Sequence, residues 1–238
     1  MNKGSFISPE QRSGIRAKVE PLALAMGRAG LTPNMLTLIG FGIASLGGVM
    51  AALEWWLLAG IVATAGAGFD MFDGAVARAT SQVSKLGAFM DSVFDRWGEA
   101  LVYVGLVAGL AASGWDYGPF LAAAAMGSAF LVSYARAKSE GLGFSAGTGM
   151  AAVGVMPREI RLVILCGGLV LGGLLGTGPD SGGEGAGGAA IPVGILVIEG
   201  ALAIIAIGAT ITVIQRVLHT RSQARAAATT TEAGERAS

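Results

Sequence analysis

The chain is short of charge. Only 13% of its 238 residues are Asp, Glu, Lys or Arg, while 53% are hydrophobic; a soluble domain carries roughly 25% charged residues. With a mean hydropathy of +0.65, that deficit excludes an ordinary soluble domain and points to a membrane protein. One cysteine, Cys166, excludes an intramolecular disulfide, and its apolar run suits a small buried hydrophobe. One histidine, His219, cannot build a histidine metal site; at the end of the last apolar run it reads as a solvated residue. The N-terminus is polar and carries no apolar h-region, so no cleavable signal peptide is expected. Neither sign of charge is in excess, with sixteen Lys and Arg against sixteen Asp and Glu. No nucleic-acid partner is expected.

What the chain has instead is long apolar runs. About six spans are expected, near 32–55, 57–79, 86–112, 118–140, 157–177 and 190–217. Each holds about 20 or more mostly apolar residues, enough to cross roughly 30 Å of hydrocarbon. The fold class is therefore an all-α integral membrane protein. All sixteen Lys and Arg then fall on one side, from Lys3, Arg12, Arg16, Lys18 and Arg28 to Arg216, Arg221, Arg225 and Arg236. The other side holds only acids: Glu54, Asp116, Asp180 and Glu184. The positive-inside rule makes the basic side cytoplasmic, with both termini inside and the Gly-rich segment 177–189 outside. Residues 8–30 read as an N-terminal interfacial amphipathic helix. Ser8 is its cap, Pro9 its first residue, and Ile15, Val19, Leu22 and Met26 its apolar stripe. The expected organisation is a juxtamembrane helix (1–31), one six-helix domain (32–217) and a disordered cytoplasmic tail (218–238).

Four carboxylates interrupt the second and third runs: Asp70, Asp73, Asp91 and Asp95. On helices, Asp70 and Asp73 share one face, as do Asp91 and Asp95. A carboxylate at membrane depth is expensive. Four at helix spacing need cations, and oxygen-only ligands suit hard ions such as Mg2+ or Mn2+. A membrane-embedded carboxylate site for two ions is expected. Helix–helix glue is the alternative, but membranes use one or two Ser, Thr, Asn or small residues for that. The polar connection 79–85 is short, so the two helices are expected as antiparallel neighbours with their acids facing.

The spacing D-x2-D-G-x2-A-R-x8-G-x3-D-x3-D is filled by Asp70, Asp73, Gly74, Ala77, Arg78, Gly87, Asp91 and Asp95. This resembles the signature of the CDP-alcohol phosphotransferase family. The resemblance implies a metal-dependent enzyme that moves a lipid phosphate from a CDP-linked alcohol to an acceptor hydroxyl and releases CMP. It implies Asp70, Asp73 and Asp91 as metal ligands and Asp95 as general base, with Asp95 also touching a metal. It also implies the inner membrane of a prokaryote, a cytoplasmic active site and a homodimer. The small residues Gly105, Gly109, Ala122 to Ala125 and Gly127 permit close packing between copies.

The likeness extends outward. Gly30-Leu31-Thr32-Pro33-Asn34-Met35-Leu36-Thr37 resembles the start of the first span in the inositol-phosphate branch of the family. Asn34 and Thr37 are implied contacts of the CDP group, with Gly74, Ala77, Arg78, Ser84 and Gly87. Ser133–Glu140 and Val153–Arg161 resemble two further segments of that branch, with Arg136, Lys138, Arg158 and Arg161 at matching positions. Four cations beside the metals imply a pocket for an acceptor's phosphate. The expected substrates are CDP-diacylglycerol and a phosphorylated polyol, with inositol phosphate the first choice. The family's Glu-Arg-Pro-Glu-Arg is replaced here by Pro157, Arg158, Glu159, Ile160 and Arg161. The two missing acids leave glycerol 3-phosphate as an alternative acceptor. A cation-conducting protein is the alternative from another class, but it does not need the Gly, Ala and Arg positions between the acids.

Overall fold

The structure is a computed structural model that describes residues 21–114, 117–144, 150, 153–176 and 192–237; the side chains of 70, 71 and 227–237 lie outside that description. Among the described residues there are helices and connections but no strand. Helix α1 covers residues 21–28. It is followed by α2 (Pro33–Ala52), α3 (Trp56–Ala79), α4 (Lys85–Ala112), α5 (Gly118–Gly141), α6 (Arg158–Leu174) and α7 (Val193–Ala237). Helix starts have local causes. Thr32 caps α2 by accepting the Met35 N–H at 3.3 Å, and Pro33 opens the first turn. Ser84 caps α4 by accepting the Gly87 N–H at 3.0 Å.

Length and composition single out four spans: α2, α3, α5 and the Val193–Ala226 part of α7. The other two expected spans are α4, which carries Asp91, Asp95, Arg96 and Glu99, and α6, which has 17 residues. The helices alternate in direction. The starts of α2, α4 and α6 therefore share one end of the bundle with the ends of α3 and α5, and this is the end that carries the aspartates.

Helix packing runs α2–α3, α3–α6, α6–α7, α7–α5, α5–α4 and α4–α2, which closes a ring. The sequence led us to expect α3 and α4 as direct neighbours. They touch only marginally, because α2 sits between them. The reason lies in small residues on two faces of α2. A Cβ on Gly66 of α3 would lie 2.8 Å from the Ala44 nitrogen, and one on Gly105 of α4 would lie 1.9 Å from the Gly48 carbonyl oxygen. Backbones this close gain dispersion and leave no room for a third helix.

The main core gathers Trp56, Tyr103, Leu106, Leu110, Leu165, Leu169, Ile198, Leu202 and Ile205 with smaller residues from α2 and α5. It fills the half of the bundle away from the aspartates. The small residues expected to serve a homodimer are mostly spent here. Gly105 and Gly109 meet α2, and Ala122 and Ala125 are fully buried in the core.

The N-terminal expectation falls mostly outside the described residues, and the tail differs from its expectation. Residues 1–20, including Ser8, Ile15 and Val19, lie outside the described residues. The described helix 21–28 does more than lie on a surface: Ala23 is buried and Met26 packs against a cluster with Leu36 and Val76. The tail expected to be disordered continues α7 in helix to Ala237. Its Ala, Arg and Glu are strong helix formers and propagate a helix already nucleated in the bundle.

Gly105→Val is expected to force α2 and α4 apart. It should lower stability by about 1–3 kcal/mol or more, read as a drop in Tm of the detergent-purified protein.

Candidate functional site

Asp73 lies on α3 and is 6% exposed. The Thr37 hydroxyl donates to its Oδ2 at 2.8 Å, and the Gly74 N–H donates to its Oδ1. Thr37 thus reaches the carboxylate from the neighbouring helix α2. Around this pair opens a cavity of about 290 Å³ lined by Asn34, Thr37, Asp73, Gly74, Ala77, Arg78, Ser84, Gly87 and Asp91, with Gln82 and Val83 from the connection. Every residue expected to contact the CDP group is present, from three different elements, with two of the expected metal ligands. The glycines keep the walls thin. A Cβ on Gly87 would lie 3.0 Å from Ser84 Oγ and 3.4 Å from Asn34 Oδ1, and one on Gly74 would lie 3.3 Å from Arg78 Nη1. Asp70 is in α3, one turn before Asp73, and its side chain lies outside the described residues. Among the described residues no three His, Cys, Asp or Glu side chains come together as a metal group.

Thr37 and Asp73 also line a second cavity with Asp95, Glu99 and Arg158, whose remaining walls are apolar side chains such as Leu36, Phe41, Phe94 and Leu165. Here two ion pairs cross the interior of the ring from α4 to α6. Arg158 Nη1 sits 2.6 Å from Asp95 Oδ2. One turn deeper, Arg161 grips Glu99 with two N–H groups, Nε to Oε1 at 3.0 Å and Nη2 to Oε2 at 3.1 Å. The register follows from helix geometry: Asp95 and Glu99 are four apart on α4, and Arg158 and Arg161 three apart on α6. Arg96 adds a longer contact to Asp95 at 3.8 Å.

Glu99 was missed in the sequence. The available signal was its position: it continues the Asp91–Asp95 stripe by one more turn.

The four cations expected to form one phosphate pocket are separated, because three of them have an acid within reach. Arg158 holds Asp95, Arg161 is enclosed with Glu99, and Arg136 pairs with Glu140 at 3.0 Å. Lys138 is exposed. Arg136 lies within electrostatic reach of Arg96 and of Arg216, and Arg216 also of Arg161. Arg216, on α7, is 3% exposed and donates to the carbonyls of Val132 and Val153.

Four membrane-length helices, with aspartates lining a cavity at one end of the bundle, fit a membrane enzyme of phosphate chemistry. Residues 30–211 match the CDP-alcohol phosphatidyltransferase family, and the chain belongs to it. It is thus a transferase of phospholipid biosynthesis and an integral membrane protein. Among its relatives, an archaetidylinositol phosphate synthase of Pyrococcus horikoshii is 38% identical over 154 residues, covering 65% of this chain and 77% of that one. A phosphatidylinositol phosphate synthase of Streptomyces avermitilis is 31% identical over 220 residues, covering 90% and 82%. The fold is that of Mycobacterium tuberculosis phosphatidylinositol phosphate synthase. The crystal structure with CDP-DAG bound aligns at a TM-score of 0.69 and 23% identity over 85% of this chain and 92% of that one. The complex with manganese and citrate aligns at 0.70 and 23% identity over 85% and 88%.

Breaking one side of the buried Glu99–Arg161 pair is expected to cost about 3–5 kcal/mol, because it strands a charge. Replacing both by apolar residues, Glu99→Leu with Arg161→Met, should recover most of that loss. Denaturation of the single and double variants in detergent measures both.

Proposed function

We propose that the enzyme transfers the phosphatidyl group of CDP-diacylglycerol to a phosphorylated polyol, inositol phosphate first, and releases CMP. The observation that carries this reading is the shared cavity: the residues matched to CDP contacts and the carboxylates Asp73 and Asp91 line one hollow. Relatives named for inositol-phosphate products and the related crystal structure with CDP-DAG bound support the substrate class. The basic end of the bundle is read as cytoplasmic, with α4 and α6 completing six spans and both termini inside.

The donor set fits divalent ions, since carboxylates from α3 and α4 offer only oxygen. Asp70, Asp73 and Asp91, with Asp95 at the edge, would hold them. When bound, Mg2+ or Mn2+, two ions in this reading, offsets diphosphate charge and stabilises the leaving CMP. The related crystal structure in complex with manganese and citrate supports that choice. The chain's own residues do the rest. Asn34, Thr37, Ala77 and Ser84 border the nucleotide, and Gly74 and Gly87 let it approach the backbone. Arg78 offers a fork to the diphosphate. The acceptor hydroxyl attacks the phosphorus on the lipid side, and its proton passes to the Asp95 carboxylate. The bond from that phosphorus to the CMP oxygen breaks. Arg158, already beside Asp95, takes the acceptor's phosphate and so sets the hydroxyl next to the base. Arg136 and Lys138 extend the cationic rim. Arg161, enclosed with Glu99, acts from behind.

Chelation should abolish CMP release from CDP-diacylglycerol. Asp73→Asn or Asp91→Asn should lower turnover by orders of magnitude, and near-normal turnover in either would sink the metal assignment. In a panel of acceptors, inositol 1-phosphate should outrun free inositol. If glycerol 3-phosphate wins instead, the phosphate site stands and the polyol assignment falls.

Sidedness has its own check, in a Cys166→Ala background. An impermeant thiol reagent should label Leu142→Cys but not Tyr117→Cys in sealed inverted vesicles. The reverse pattern would invert the topology.

A further inference from the structure

The segment 153–157 has no regular structure and runs straight into α6. Its backbone is nevertheless tied to α7 at three points. The Val155 N–H donates to Gln215 Oε1 at 3.2 Å, and the Met156 N–H to Thr212 Oγ1 at 2.9 Å. Arg216 Nε donates to the Val153 carbonyl at 3.0 Å. Gly154 makes the fit possible: its φ is 120°, and a Cβ there would lie 2.2 Å from Thr212 Cγ2. The segment is held from the other side as well. Arg161 Nη1 reaches the Met156 carbonyl at 3.4 Å, while its remaining contacts fix it on Glu99. One guanidinium therefore links α4, the 153–157 strap and α6. Arg158 lies two residues after Met156 and one turn before Arg161.

We propose that Glu99, Arg161 and Thr212 are positioning residues for the acceptor. They fix the strap and the first turn of α6, so that Arg158 meets Asp95 and the acceptor's phosphate at one place. The proposal rests on the reading of Arg158 as the acceptor-phosphate contact. Glu99 repels a phosphate, and the Arg161 side chain is 1% exposed with three of its N–H groups directed at Glu99 and Met156. Neither is suited to touch the substrate. Nor does stability require the pair to be charged, since apolar pairs of similar volume often replace buried ion pairs without loss. What an apolar pair cannot do is hold the Met156 carbonyl and so set the rotation of α6.

The test is kinetic, on the full-length purified enzyme, with inositol 1-phosphate as the acceptor and glycerol 3-phosphate in parallel. KM for acceptor, KM for CDP-diacylglycerol and kcat are measured for Glu99→Gln, Thr212→Val, the double variant Glu99→Leu/Arg161→Met, and Arg158→Ala. Glu99→Gln and the double variant are expected to raise the acceptor KM about tenfold or more, and Thr212→Val about fivefold. The donor KM should stay within about twofold. If Glu99→Gln does not fold, the double variant and Thr212→Val carry the test. A stable double variant with wild-type acceptor KM would show that the pair only stabilises, and the inference fails. A rise in both KM values together would mean general loosening and also overturns it. If Arg158→Ala keeps the wild-type acceptor KM, the underlying reading of Arg158 falls, and this inference falls with it. A raised KM in Arg158→Ala alone refutes only the positioning role.

Discussion

Charge held inside the helix bundle, and answered there by opposite charge, governs the end of the bundle where the cavities lie. Asp95 with Arg158 and Glu99 with Arg161 cross the interior of the ring from α4 to α6. The deeper pair is nearly sealed from solvent, where two ions lose several kcal/mol of hydration each and regain it only with good geometry. The two-pronged contact between the Arg161 guanidinium and the Glu99 carboxylate meets that demand. The outer pair is less enclosed: Arg158 meets Asp95 at 2.6 Å where both border the second cavity. The inner pair is sealed, with the Arg161 and Glu99 side chains 1% and 4% exposed. Burial thus deepens by one turn from Asp95 to Glu99 along one face of α4.

That arrangement depends on where α2 lies. By occupying the place between α3 and α4, α2 spreads the two acid-bearing helices and adds Asn34 and Thr37 to the wall between them. Direct packing of α3 on α4 would bring the carboxylates together and close the hollow. The close approaches at Gly48, Gly66 and Gly105 therefore serve the site from a distance. They hold α2 tightly against both flanking helices. The opposite half of the bundle is filled by Trp56, Leu106, Leu110 and Leu202, all at most 1% exposed. It supplies the rigid base against which the hollow half keeps its shape.

Much of this was legible in the sequence because it is local. Pro33, Ser84 and Pro157 mark helix starts by capping and by fixed φ, and the observed helix starts fall within a few residues of the expected ones. Gly74, Ala77, Arg78, Ser84 and Gly87 lie within short sequence reach of the aspartates, whereas Thr37 joins Asp73 from α2 across 36 positions. The ring order was hidden, because a small-residue face permits close approach without naming its partner. Gly105 and Gly109 show this: they suit a dimer seam equally well until α2 is seen against them. Glu99 was hidden for a related reason. It extends the Asp91–Asp95 stripe, but its role is set by Arg161, 62 positions later, which lies opposite it. The helical extension to Ala237 was missed because its composition lacks an apolar stripe, although helix propensity alone suffices once α7 supplies the nucleus.

The departure from the family's acidic pattern around Arg158 looks different once the strap is placed. Ile160, where the family carries an acid, packs beside Val132, Met156 and Ala209, on the side of α6 that meets α5 and α7. That side chain does not line either cavity beside the aspartates. Pro157, at the other missing acid, occupies the N-cap of α6 with an extended backbone. Both replacements therefore act on how the strap and the start of α6 are seated: one with an apolar anchor, the other with a fixed φ. Glu159, in the first turn, complements the positive end of the helix dipole and is exposed. The cations that face the interior, Arg158 and Arg161, are retained at their spacing of three. The change in pattern thus falls on the support of the proposed acceptor site, while Arg158, the charge that would read a phosphate, stays in place.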